Sequence, residues 1–303
     1  MSGGSKVIEN RSLGSKAFDV INLIFLISLT LLSLLPLWYT LMVALSEKEA
    51  VQAGIVSIYP IGFNLYAFDA ILSDSGFFKA FWVSVQRVVL GAAFTMLVLS
   101  LAAYPLSRTS KQFPGRNLLM WAFIFCLLFN GGLIPWFITM RNYNLMDSVW
   151  GLVLSGGVPI FNMILITNFI KNLPEELEEA AKMDGAGPWR VLFQVLLPLL
   201  KPVLATVLLF TMVGHWNEFF QGMVLSTQMD SYPLQTYIQQ LVVSASLENL
   251  ANLSLEELDR ASKLNNGSLN AAKIFVAMIP VLLIYPFLQR YFVKGITLGS
   301  VKG

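Results

Sequence analysis

Residues Leu173 to Pro202 read LPEELEEAAKMDGAGPWRVLFQVLLPLLKP, and the flanking chain is understood through this stretch. Pro174 suits a first helical turn, and Glu175, Glu176, Glu178 and Glu179 follow where carboxylates complement the positive end of the helix dipole. Ala180 and Ala181 continue the helix on small side chains. Gly185 and Gly187 accept positive φ and end it, and Pro188 opens a second short helix. The pattern predicts helix, tight turn, helix. Long apolar segments flank the hairpin, so it must protrude from a membrane. Short inner loops normally carry excess Lys and Arg, yet here the glutamates and Asp184 outnumber Lys171, Lys182 and Arg190. Acids so placed point to a protein partner rather than to lipid headgroups.

Composition supports the membrane reading. The 303 residues are 56% hydrophobic and 13% charged, with a mean hydropathy of +0.66, whereas soluble domains average about 25% charged residues. A single cysteine, Cys126, excludes an intrachain disulfide and is expected as a packed thiol. The start is polar and the apolar run from Phe18 is too long for a signal core, so no cleavable signal peptide is expected and the run stays as a membrane helix.

Six spans are predicted. They run from Phe18 to Leu45, with Pro36 inside; from Ala80 to Leu106; from Asn117 to Ile134, stopped by Gly131, Gly132 and Pro135; from Val149 to Ile170, interrupted by Gly156, Gly157 and Pro159; from Leu199 to Phe220; and from Ala271 to Val293. The interruption in the fourth span reads either as tight helix packing or as broken backbone beside a wet cavity. The expected division is a tail at 1–17, a six-helix body at 18–293 with the hairpin at 173–198 and an outer loop at 226–270, and a tail at 294–303. Leu247, Leu250, Leu253 and Leu255 predict an amphipathic helix within that loop. An even number of spans puts both termini on one side. Arg108, Lys111, Arg116, Arg290 and Lys294 fall on the side of the termini, where most of the basic residues lie, so both termini and the hairpin are expected in the cytoplasm.

Glu179, Ala180 and Ala181, then Gly185, then Val195, Leu197 and Pro198 fit the pattern EAA, three residues, Gly, nine residues, an aliphatic residue, any residue, Leu-Pro. The hairpin thereby resembles the signature loop of ABC importer permease subunits, most closely those of the sugar-importing, maltose-type branch. Val195 in place of the commoner isoleucine is a conservative departure. AAYPLSR, FNGGLIPW, SYPLQ and YPFLQRYFVKGITLGSVKG extend the resemblance to permeases for oligosaccharides or polysaccharide fragments. The resemblance implies an all-α, type I importer transmembrane domain in a bacterial cell membrane. It also implies a second related permease, a dimer of ATP-binding subunits that grip the hairpin, and an extracellular solute-binding protein. Glu179 and Asp184 would meet basic groups of the ATPase, with Ala180, Ala181 and Gly185 permitting close approach. The outer loop would contact the binding protein, and the C-terminal tail would reach the ATPase dimer.

The chain itself carries no GxxxxGK[ST] phosphate loop, HExxH or CxxC, and no acid cluster with metal-ligand spacing. One histidine, His215, excludes a relay through paired histidines. The chain is therefore read as a transport subunit and not an enzyme, with no cofactor of its own, ATP and Mg lying in the partner ATPase, and no nucleic-acid partner. Polar side chains within spans mark a candidate path. His215, Trp216, Asn217, Glu218 and Gln221 lie near the outer half of span five, where planar amides, a carboxylate and an aromatic face suit a sugar. Asn217 and Gln221 are expected on one face at i and i+4. The same residues also fit interface anchoring. Gln86 and Arg87 in span two are path candidates that also fit snorkelling outward to the interface, and Asn130 is a further path candidate. Saccharide import by alternating access is the expected function. Its alternatives are an ion-coupled secondary transporter, a membrane scaffold docking a signalling protein, or an importer of this type with a non-sugar cargo.

Overall fold

The computed structural model describes residues 13–243 and 266–300, with side chains described for 14–240 and 266–286. Among these residues the chain is all α-helical. Contacts divide it into two units, one of residues 1–71 and 247–275, the other of 72–246 and 276–303.

The first unit contains α1 (Leu13–Ala44), α2 (Lys48–Gln52) and α3 (Tyr66–Ser73). The apolar window of α1 buries none of its residues within the chain, and the helix continues through Pro36. Apolar on every side, α1 is a helix for lipid or for another subunit. The segment after it is more ordered than a loop: Trp38 Nε1 donates to Ile58 O at 2.7 Å, and Ile61 N donates to Ser46 Oγ at 3.1 Å.

The second unit is built around α4 (Ser75–Ser107), a 33-residue helix started by Asp74, whose carboxylate accepts from Phe77 N at 3.1 Å. At 1.5 Å per residue α4 is about 50 Å long, enough to cross a bilayer and emerge on both sides. The basic turn after it leads to α5 (Arg116–Leu128) and α6 (Leu133–Asn142), which are bent by 114° at Phe129–Gly132. Gly132 has φ 88°, open to glycine and strained for an L side chain. The expected third span is thus a bent pair. No residue of α5 is buried, and Cys126 within it is exposed, a correction to the packed thiol that a lone apolar-segment cysteine suggested.

The expected fourth span is broken where the glycines and proline predicted, into α7 (Val149–Leu154) and α8 (Ile160–Lys171). The hairpin follows as α9 (Glu176–Met183), and α10 (Pro188–Leu199) contains a π-helical stretch at Val191–Leu196. An 82° elbow at Leu200 separates α10 from α11 (Lys201–Asn217), the expected fifth span. Next come α12 (Phe220–Leu225), a turn at Met229–Ser231, and α13 (Leu234–Val243). The last helix, α14 (Asn266–Ser300), starts in the first unit and ends in the second. It runs seven residues past the expected end of the sixth span, because nothing after Pro286 breaks the helical pattern. The amphipathic helix expected at Leu247–Leu255 lies outside the described residues.

Among the described residues, three helices are long and apolar enough to cross a membrane alone, and the two bent pairs raise the number to five. At 12 residues, or about 18 Å, α8 is too short to cross by itself. Six passes are compatible with this backbone if α7 and α8 together make the remaining one. The core of the second unit lies toward the hairpin: Leu99, Ala103 and Leu106 of α4 pack with Met163, Ile166 and Ile170 of α8 and with Val191, Leu196, Leu200, Val203 and Val207.

Candidate functional site

The hairpin has the form that its sequence predicts, by identifiable contacts. Glu176, Glu178 and Glu179 occupy the first turn of α9. At its end Gly185 takes φ 79°, Gly185 N donates to Lys182 O at 3.0 Å, and Ala186 N donates to Ala181 O at 2.9 Å. These two bonds make a Schellman motif, which closes the helix and turns the chain sharply. Glu179, Ala180, Asp184 and Gly185 are exposed, as are the large apolar side chains of Leu177, Met183 and Trp189. Ala181 and Ala186 instead pack against the unit's own core, so only part of the small-residue face points outward. Val195 and Leu197 are half-buried and Pro198 is exposed.

An ion pair adds to this packing in fixing the hairpin to the rest of the unit. Arg108, which ends α4, grips Glu178 with both terminal nitrogens, Nη1 to Oε2 at 2.5 Å and Nη2 to Oε1 at 2.7 Å, while its guanidinium stacks 4.6 Å over the Tyr104 ring. A cavity of about 350 Å³ opens beside it, lined by Arg108, Arg116, Lys171, Glu175 and Lys182 among others. In the sequence Arg108 is a topology marker, and Glu178 is one of the glutamates that complement the helix dipole and point to a protein partner. Seventy residues separate them, and no local pattern pairs them.

A second polar site lies in the interior of the same unit. Arg87 is about 18 Å along α4 from Ser75 and only 1% exposed, so it does not snorkel; it is turned inward against the end of α11. Its Nη1 donates to Glu218 Oε2 at 3.0 Å and to Glu218 O at 3.1 Å, and its Nη2 donates to Gln221 Oε1. The third guanidinium nitrogen, Nε, is buried with no partner. Ser155, at the break between α7 and α8, lies 2.7 Å from Gln221 Oε1, and Trp136 Nε1 donates to Ser155 O at 3.1 Å. Broken helices converge here: α11 ends at Asn217, Glu218 is extended, and its Oε1 accepts from Gln221 N at 2.8 Å to start α12.

Glu218 and Gln221 border two cavities. One, of about 360 Å³, is also lined by Asn130, Gly132, Trp136 and Ser155; the other, of about 190 Å³, by Arg87, Asn162, Thr211 and His215. His215 is seated against Gly91, where a Cβ would lie 2.5 Å from its Nε2. The remaining path candidates are placed differently. Trp216 is buried, donates to Ala277 O at 3.0 Å and packs edge-on against Phe81, so it is structural and lines neither cavity. Asn217 is exposed, and the break at Glu218 destroys the i, i+4 face expected with Gln221. Gln86 is half-buried and borders neither cavity. Asn130 Oδ1 accepts from Gly132 N at 2.9 Å, shaping the bend between α5 and α6.

At the far end of α4 from the hairpin, the segment after α12 is strapped down. Asp147 accepts from Thr227 N, Thr227 Oγ1, Gln228 N and Ser231 Oγ at 2.6–3.2 Å. Slight burial pushes its carboxyl up, but these donors outweigh that and hold it at about 2. Tyr237 Oη donates to Asp74 at 2.8 Å, and Lys79 pairs with Asp230 at 2.9 Å.

Apolar helices broken around an interior polar site, with an exposed capped hairpin at the other end of α4, fit a membrane component of a transport system. The chain belongs to the family described as binding-protein-dependent transport system inner membrane component, which matches residues 11–298. It is similar to the polygalacturonan/rhamnogalacturonan transport system permease protein YtcP of Bacillus subtilis (strain 168), 36% identical over 95% of this chain and 99% of the relative. Similarity to the diacetylchitobiose uptake system permease protein NgcG of Streptomyces coelicolor (strain ATCC BAA-471 / A3(2) / M145) is 28%, over 98% and 93%. Among solved structures it resembles a bacterial ABC transporter involved in the import of the acidic polysaccharide alginate, with a TM-score of 0.82 and 30% identity over 93% of this chain and 99% of that one.

Proposed function

We propose that this chain is the permease subunit of an ATP-driven, binding-protein-dependent importer whose cargo is an oligosaccharide or a polysaccharide fragment. The reading is carried by one observation: an exposed hairpin, acidic and apolar on its outer side, is clamped by Arg108 and Glu178 to the helix that holds the interior polar site. The family and the saccharides named for the relatives support it. A separate dimer of ATP-binding subunits seats α9 in a groove, where Glu179 and Asp184 meet basic groups and Leu177, Met183 and Trp189 supply apolar contact. A second related permease covers the exposed apolar faces of α1 and α5. Both termini and the hairpin lie in the cytoplasm, by the distribution of Lys and Arg. On the outer side, the strapped segment at 226–237 contributes to docking of the solute-binding protein.

Transport follows by alternating access. When the ATPase subunits close, the hairpin moves with them, α4 moves with the hairpin, and the cavities about Glu218 and Gln221 open outward to take cargo. The test is uptake of labelled oligosaccharide into liposomes holding the full complex. Uptake that requires ATP inside and binding protein outside is the expected result. Uptake by this chain alone under an ion gradient overturns the proposal.

A further inference from the structure

We infer that Arg87 is a receptor for a cargo carboxylate, that Glu218 occupies it as an internal stand-in, and that the cargo is therefore a saccharide bearing uronate-type acid groups. This rests on the importer reading above and narrows its cargo. A neutral sugar needs only amides, hydroxyls and aromatic faces, and the larger cavity supplies these from Asn130, Gln221, Ser155 and Trp136. A guanidinium 1% exposed within a membrane helix is expensive, and such groups by default mark a ligand or ion pathway. Among the described residues, Arg87 and Glu218 are also the only Lys, Arg, Asp or Glu lining the two cavities, so no other lysine or arginine among them competes for an anion there.

The occupancy of Arg87 is incomplete. Its two terminal nitrogens are engaged, but buried Nε–H has no acceptor, and a planar guanidinium presents its Nε edge to carboxylates in a two-pronged fit. Glu218 is placed to give way. Its side chain is 25% exposed, its backbone is at an extended break between helices, and it borders both cavities. Swung off Arg87, its carboxylate keeps the Gln221 N–H and gains cavity water. A cargo carboxylate then takes the guanidinium, so Arg87 is never left unpaired. The exchange replaces one ion pair at Arg87 by another and brings one further negative charge into the site, leaving the Glu218 carboxylate to the Gln221 N–H and to water.

The experiment compares trigalacturonate with its neutral methyl ester in the reconstituted complex. Wild type is expected to import the acid at least about tenfold faster. The double variant Arg87→Gln with Glu218→Gln keeps an uncharged hydrogen-bonded pair in the core; it is expected to lose that preference, its ratio of acid to ester import falling to about one. Glu218→Gln alone, which leaves the cation, is expected to retain the preference for the acid. Equal import of acid and ester by wild type overturns the inference, as does a preference that survives in the double variant. Import of neutral saccharides alone overturns the inference and leaves the importer reading standing. Import of no saccharide of either kind overturns both.

Discussion

Replacing Glu178 by glutamine should free the hairpin from α4 without unfolding either. Glutamine keeps the size and removes the charge, and Arg108 retains its seat over Tyr104. The side chains of Arg108 and Glu178 are 17% and 12% exposed. An exposed ion pair contributes about 0–1 kcal/mol, and breaking a buried one costs about 3–5 kcal/mol. This pair lies between those limits and is two-pronged, so the loss should be about 2 kcal/mol, or ~30-fold in the docked fraction of the hairpin. Amide exchange over Glu176–Met183, followed by mass spectrometry on the solubilised complex, should accelerate by that factor, and cargo moved per ATP hydrolysed should fall. Reversal by Arg108→Glu with Glu178→Arg should restore part of both. Unchanged exchange in Glu178→Gln would refute the clamp, and a clamp lost with undiminished coupling would refute its role in transmission.

Gly185→Val places a β-branched residue at φ 79°, costing at least about 1–2 kcal/mol, and should abolish ATP-coupled uptake while leaving membrane insertion intact on a blot. Gly222→Ala sets a methyl against Thr236 Oγ1 and 2.6 Å from Pro233 Cγ, so overpacking should cost about 1–3 kcal/mol and lower the melting temperature of the solubilised protein. The folded-state value of the Asp147 carboxyl, about 2, lies below its ordinary 3.8; its stabilisation of the strap is therefore complete above about pH 4 and lost as pH falls through 2. Limited acid proteolysis near Thr227 should show that window, and Asp147→Asn should abolish it.

The hairpin was legible because its determinants are local: acids in a first turn, a glycine at the one positive-φ position, a proline after it. The break before α8 was legible for the same reason, since Gly156, Gly157 and Pro159 act on their own backbone. Outward snorkelling fails for Arg87 because its partners lie more than 130 residues away. Hydropathy alone gives an arginine near a helix end a route to water, whereas the packing of α4 on α11 gives it Glu218. Trp216 looked like a cavity wall for a similar reason. Helical spacing placed it beside Asn217 and Glu218, but its indole is claimed by Phe81 and the Ala277 carbonyl. Cys126 is exposed because α5 meets its own chain along one side only, through Met120 and Phe123, which composition cannot reveal.

The elbow at Leu200 changes the direction in which force is delivered. With α10 and α11 set 82° apart, a displacement along α10 has almost no component along α11. A shove delivered at the hairpin thus reaches α11 as a sideways stroke at its base. A rod so struck tilts rather than pistons, and tilting parts its far end from its neighbours while the foot travels little.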